Sequence, residues 1–152
     1  MEGAHLKIEE FKDVTIAYMR RTGDYGFKNK ILMENFKEHL RKENLLNSNS
    51  IILGIALDNP ADTDRDKLRY DVGLIVNGNP DIALDIRKIP DGIYAVFELP
   101  HTEQDITAFW SNIQKLVGSL SVDETKPVIE RYPADKVAKH LCEFCIPLKK
   151  LS

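Results

Sequence analysis

Two hydrophobic rhythms take turns along this chain. Stretches rich in β-branched and aromatic residues read as strands: a weak one around Leu6 to Ile8, a stronger one at Val14 to Met19, a buried run at Ile51 to Leu57, and its return at Leu68 to Val76. Between the second and third lies a four-residue rhythm, Ile31/Leu32, Phe36 and Leu40 with Lys, Glu and Asn between. It predicts an amphipathic helix over about Phe27 to Leu46. The turn Thr22-Gly23-Asp24-Tyr25-Gly26 leads into that helix, and Asn47-Ser48-Asn49-Ser50 leads out of it. After Asn77-Gly78-Asn79-Pro80 the pattern begins again. A weak strand around Ala83 to Ile86 precedes a strong one at Ile93 to Phe97. A helix over about Glu103 to Val117 follows, with the stripe Ile106, Phe109, Ile113, Leu116 and Leu120, and strands at Pro127 to Tyr132 and Lys139 to Leu148 close the chain. Thr102, with Asp105 three residues on, predicts a capping box for this helix, and Trp110 lies at the margin of its stripe.

Each half thus reads strand-helix-strand-strand. Taking Ala17 with Ala95, Leu53 with Glu130 and Val72 with Phe144 as equivalent positions predicts an internal duplication. The expected fold is α+β: two βαββ units, residues 5–76 and 82–148, related by a pseudo-twofold axis, with antiparallel sheets and two long helices. A groove at such an axis is a common place for a ligand.

The strand Pro127-Val128-Ile129-Glu130-Arg131-Tyr132 draws attention to that groove. Alternation places Val128, Glu130 and Tyr132 on one face and Ile129 and Arg131 on the other, so Glu130 sits between apolar neighbours. A carboxylate there reaches water at a sheet edge, pairs with a fixed cation, or takes one that arrives as a ligand. Tyr18, Tyr70, Tyr94, Phe97 and Phe109 read as core.

Composition narrows the field. The chain has 152 residues, 43% hydrophobic and 30% charged, in the range of a soluble single domain. No apolar run approaches a membrane span, and Met-Glu-Gly-Ala-His-Leu-Lys lacks the order of a signal peptide, so a cytoplasmic setting without membrane association is expected. The net charge of −3 is spread over both halves with no basic tail, which disfavours direct nucleic-acid binding. Cys142 and Cys145 have the spacing of a redox or zinc pair, but a three-residue offset on a strand sends their thiols to opposite faces. No metal set, phosphate loop or nucleophile–base pair is evident, so no catalytic residue, metal ligand or cofactor is assigned, and a binding role is favoured over an enzymatic one.

Several short motifs carry a resemblance. They are Ala17-Tyr18-Met19-Arg20-Arg21-Thr22-Gly23-Asp24-Tyr25, Gly54-Ile55-Ala56-Leu57-Asp58-Asn59-Pro60, Arg69-Tyr70-Asp71, Ile89-Pro90-Asp91-Gly92-Ile93-Tyr94-Ala95-Val96, Pro127 to Tyr132, and Ile146-Pro147-Leu148. In this order the chain resembles the GyrI-like small-molecule-binding domain, found also as the effector-binding domain of AraC-type and MerR-type multidrug regulators. The resemblance implies a central cleft for small amphipathic cations, with a buried glutamate among aromatic rings. The glutamate maps onto Glu130, a second lining residue onto Tyr132, and the tyrosine of the Gly-x-Tyr turn onto Tyr25. Trp110, off the centre of its stripe, is a further candidate. The implied role is a stand-alone protein that senses or sequesters lipophilic cations or drugs. Two alternatives come with the family: a DNA gyrase inhibitor-type protein with gyrase or a regulator as partner, and a hydrolase of strained electrophilic toxins.

Overall fold

The computed structural model describes residues 5–77 and 81–150. The turn read at 78–80 and the first four residues, part of the signal-peptide reading, lie outside them. In order, the chain forms β1 (His5–Phe11), β2 (Thr15–Thr22), α1 (Phe27–Lys42), β3 (Ile51–Ala56), β4 (Arg69–Val76), β5 (Asp85–Lys88), β6 (Gly92–Pro100), α2 (Glu103–Ser111), α3 (Ile113–Val117), β7 (Ile129–Pro133), α4 (Ala134–Val137) and β8 (Leu141–Leu148).

The strands make one continuous antiparallel sheet in the order β1-β6-β8-β7-β3-β4-β2-β5. The sequence pattern suggested separate sheets for the two halves; pairing of β3 with β7 joins them. The order reads alike from either end. The outermost strands are exchanged: β1 precedes β2 but pairs with β6, and β5 precedes β6 but pairs with β2.

This exchange forces curvature. In a flat sheet β1 and β2 would lie about 29 Å apart, six spacings of roughly 4.8 Å, yet the short link Lys12 to Val14 joins them and spans at most about 14 Å. The sheet therefore curls. Where the links cross, the Ile89 N–H donates to the Val14 carbonyl (2.8 Å) and the Asp13 N–H to Asp91 Oδ1 (3.1 Å). The inner face of the curl holds one apolar cluster that includes Phe11, Ile16, Leu53, Ile55, Tyr94, Val96, Ile129 and Cys145. On the outer face α1 covers Ile52, Tyr70, Val72 and Leu74 through Phe36 and Leu40, while Phe109 and Val117 cover Ala95, Phe97, Cys142, Phe144 and Ile146. Cys142 and Cys145 thus face opposite ways, as the strand offset requires.

The first helix ends earlier than its apolar rhythm suggests, and the second reaches Val117 as expected but is interrupted. Asn44 takes the left-handed conformation (φ 56°), the Leu45 N–H returns to the Leu40 carbonyl and the Asn44 N–H to that of Arg41. This is a Schellman closure with asparagine in the glycine position, and it stops α1 at Lys42 rather than Leu46. In the second half the expected single helix breaks at Asn112, whose side-chain amide donates to the Ala108 carbonyl (2.8 Å) while its own carbonyl starts α3. Thr102 caps α2, its Oγ1 accepting from the Asp105 N–H (3.0 Å) and donating to the Asp105 carboxylate (2.6 Å), but the reciprocal half of the expected box does not form, because the Thr102 N–H donates to the Pro100 carbonyl (2.9 Å).

Ladder register corrects one equivalence. Ala17 lies opposite Leu74 and Ala95 opposite Ile146, so Val72 corresponds to Phe144; their partners are Gly54 and Glu130, which also pair with each other. The position matching Glu130 is therefore Gly54. Leu53, one residue away, points into the inner cluster.

Candidate ligand-binding site

The Gly54–Glu130 pair lies at the middle of the sheet, on the outer face between the helices. Glu130 Oε1 accepts from the Tyr70 hydroxyl of β4 (2.8 Å) and from the Tyr132 hydroxyl of β7 (3.1 Å). Its second oxygen has no protein partner among the described residues, nor is it sealed from solvent. The absence of a side chain at residue 54 makes this arrangement possible. A Cβ there would stand on the Tyr70 hydroxyl and 2.5 Å from Glu130 Oε1.

A cavity of about 740 Å³ opens above the carboxylate, within the range that takes a drug-sized molecule. Its floor is Ile52, Tyr70, Glu130 and Tyr132. One wall is apolar, from Ile106 of α2 and Ala134, Val137 and Ala138 at α4, with His101 beside them; the His101 ring lies 5.4 Å from that of Tyr132. The other wall is the polar side of α1: Asn29, Lys30, Met33, Glu34, Lys37 and Arg41.

Burial pushes the Glu130 pKa above the ordinary carboxylate value, and the two phenols only partly offset it. Burial and the charge of Glu130 push Tyr70 and Tyr132 well above the normal phenol range, so both remain proton donors at any physiological pH. His101 is lowered by burial and then by the charges of Lys37 and His140, which favours the neutral ring. The arrangement is a carboxylate with one oxygen fixed by two neutral donors and the other turned to an open, largely apolar space.

Of the residues singled out from sequence, Glu130 and Tyr132 come together here. Tyr25 and Trp110 do not line the cavity. The Tyr25 hydroxyl accepts from the Asp58 N–H (3.0 Å) and donates to the Arg69 carbonyl (2.8 Å), and its ring meets that of Tyr70 edge-on at 6.4 Å. It therefore fixes the start of β4, one residue before Tyr70. Trp110 packs against Phe109 and Phe144 and is 40% exposed. Tyr70, read as core, is buried as expected, yet its hydroxyl belongs to the site. Its two-residue alternation with Val72 and Leu74 put it on a sheet face; only strand pairing shows that Glu130 shares that face. Among the described residues no group of three or more His, Cys, Asp or Glu side chains is placed to hold a metal ion. No helix among them is long and apolar enough to cross a membrane.

Comparison with known proteins agrees with this architecture. Over 148 residues, covering 95% of this chain and 99% of the relative, the sequence is 39% identical to the SPbeta prophage-derived protein YosT of Bacillus subtilis (strain 168), which bears the name of a transcriptional regulator. The fold matches the structure of SAV2435 bound to tetraphenylphosphonium with a TM-score of 0.64 at 16% identity, covering 95% of this chain and 94% of that one. It matches the C-terminal domain of EcmrR with a TM-score of 0.66 at 12% identity, covering 97% and 99%. The family model for the GyrI-like small molecule binding domain matches residues 5–149, and the chain belongs to that family.

Proposed function

We infer that this protein binds lipophilic, amphipathic cations, sensing or sequestering them in the cytoplasm. The observation that carries the reading is Glu130: a desolvated carboxylate with an unpartnered oxygen facing a cavity, and no protein cation bonded to it among the described residues. A delocalised cation is weakly hydrated and loses little on entering such a space, while the carboxylate attracts it through a medium that screens poorly. A cation over the ring face of Tyr70 or Tyr132 would gain about 0.5–2 kcal/mol more from each. The tetraphenylphosphonium bound by SAV2435 is a ligand of this chemical class. In this reading residues 1–152 act as one binding domain, whose halves 5–76 and 82–148 supply the two sides of the cleft. Glu130 and Tyr132 touch the ligand; Tyr25 and Trp110 brace Tyr70 and Phe144 from behind.

The test is titration of rhodamine 123 by fluorescence polarisation. Wild type is expected to bind the dye, and Glu130→Gln, which keeps shape and removes charge, to lose about 2–5 kcal/mol, at least about 30-fold in affinity. Unchanged affinity in Glu130→Gln would remove the basis of the assignment.

A further inference from the structure

The α1 wall carries a charge pattern that a pocket for simple cations does not call for. Lys30, Glu34, Lys37 and Arg41 follow one another at three- and four-residue steps along the helix, and all four line the cavity. Three are cations. Glu34, the one acid in the stripe, is 70% exposed and 3.8 Å from Lys37, whereas Lys37 is only 31% exposed and leans inward. Arg41 has Glu38 at 3.1 Å, an exposed pair of the kind that contributes little and leaves the guanidinium free to turn. Lys30 has no ion pair among the described residues. The charge of Lys37 is felt on the far wall, where it lowers the proton affinity of His101. The cavity therefore has a negative floor and a positive side, and a plain monocation passes that side at a cost.

We propose that the preferred ligands are amphipathic zwitterions: a cationic ring system over Glu130, with a separate carboxylate or similar anionic group on the same molecule meeting Lys37 and Arg41. This rests on the cation-binding reading of Glu130 and narrows its ligand class. The apolar wall of Ile106 and Val137 takes the ring system's other face. The division of labour follows from position, since the anion lies at the buried floor and the cations at the wetter mouth, where a long ligand's second charge stays partly hydrated.

A matched dye pair tests this. Rhodamine 110 and its methyl ester, rhodamine 123, share one xanthene cation and differ only at the pendant group, a carboxylate in the first and an uncharged ester in the second. Wild type should bind rhodamine 110 at least about five-fold more tightly at low salt, with the preference shrinking as salt rises. Lys37→Gln/Arg41→Gln should abolish the preference, bringing the two dyes to within about two-fold. Equal or weaker binding of rhodamine 110 by wild type, binding of neither dye, or a preference that survives the double substitution would overturn the proposal. Glu130→Gln separates the two levels of inference. If it weakens both dyes while wild type shows no preference for rhodamine 110, cation binding stands and the zwitterion proposal falls. If it weakens neither, the cation-binding reading fails and the zwitterion proposal fails with it.

Discussion

On the outer face of β7 the Glu130 carboxylate meets two phenols and, among the described residues, no cation. One residue along, on the inner face, the Arg131 guanidinium is bonded to Glu9 (2.6 and 3.0 Å) and Glu143 (2.7 Å), and Glu143 also takes Lys136, which reaches Glu98 as well. Farther along the inner face Asp71, fully buried, accepts from Arg20 (2.6 and 3.0 Å) and Arg87 (2.8 and 3.1 Å). Asp71 and Glu143, the buried carboxylates of the inner face, are thus each met by two cations, while Glu130 is met by none among the described residues. Asp71 and Glu143 are fully buried and Glu130 is half-buried with one oxygen open to the cavity, so the contrast separates charge compensated within the fold from charge that the described residues leave uncompensated.

The proton affinities divide the same way. Burial works to raise Glu143, but bonds and charges from Arg131 and Lys136 overcome it and hold it low; the Arg131 bonds hold Glu9 low. Glu130, without a cation, moves up.

The largest effects should come from breaking the inner face. Asp71→Asn leaves Arg20 and Arg87 facing each other, and Arg131→Gln leaves Glu9 and Glu143 without their shared cation; each is expected to cost about 3–5 kcal/mol in urea unfolding. Dye affinity, measured where the variants remain folded, should stay within about two-fold of wild type. A large affinity loss there would mean that the faces are not independent. Gly54→Ala should come next, at about 1–3 kcal/mol, because the new methyl displaces Tyr70 or Glu130; unlike the inner-face variants it should weaken stability and dye binding together. Glu130→Gln should reverse the inner-face result, with binding lost and thermal stability unchanged or raised by about 1 kcal/mol, as removal of an uncompensated buried charge predicts.

The smallest effect concerns pH and follows from the signs of the shifts. Glu9 and Glu143 are depressed, so their stabilisation is present above the unfolded value of about 4.3 and is lost only as pH falls through their lower folded values. Glu130 is raised, so its ionised form is a burden on the fold at neutral pH, relieved as it protonates above the ordinary carboxylate range. On acidification dye affinity should therefore fall before the fold does. Tyr70→Phe removes a donor to the ionised form, worth about 1 kcal/mol, and should move the loss of affinity to higher pH by up to about one unit. Simultaneous loss of binding and structure would contradict this ordering.

Periodicity located the strands and helices, because each buries one face and its rhythm records which. It overran the first helix and missed the break in the second, since the closure at Asn44 and the break at Asn112 are made by backbone and side-chain hydrogen bonds that hydrophobic spacing does not encode. The candidate site was legible where its residues lie within one strand, as with Glu130 and Tyr132, which line the cavity. Tyr70, Gly54 and the α1 wall were not, because their roles depend on register between strands distant in sequence. A one-residue change of register sends a side chain to the other face, which is how Leu53 stood in for Gly54. Lysines at positions 30 and 37 read as solvent-facing, and whether a polar helix face meets bulk water or a cavity depends on the opposite wall.

The exchange of β1 and β5 has a consequence for how the chain can be taken apart. Neither half contains its own outer border: residues 5–76 lack the strand that lines β2, and residues 82–148 lack the one that lines β6. Expressed singly, each piece would present an unpaired strand edge and half of the inner core, an invitation to self-association. Expressed together as two polypeptides, they should interlock and elute as one species, each clasping the other by a borrowed strand. A nick between them would leave the cleft intact.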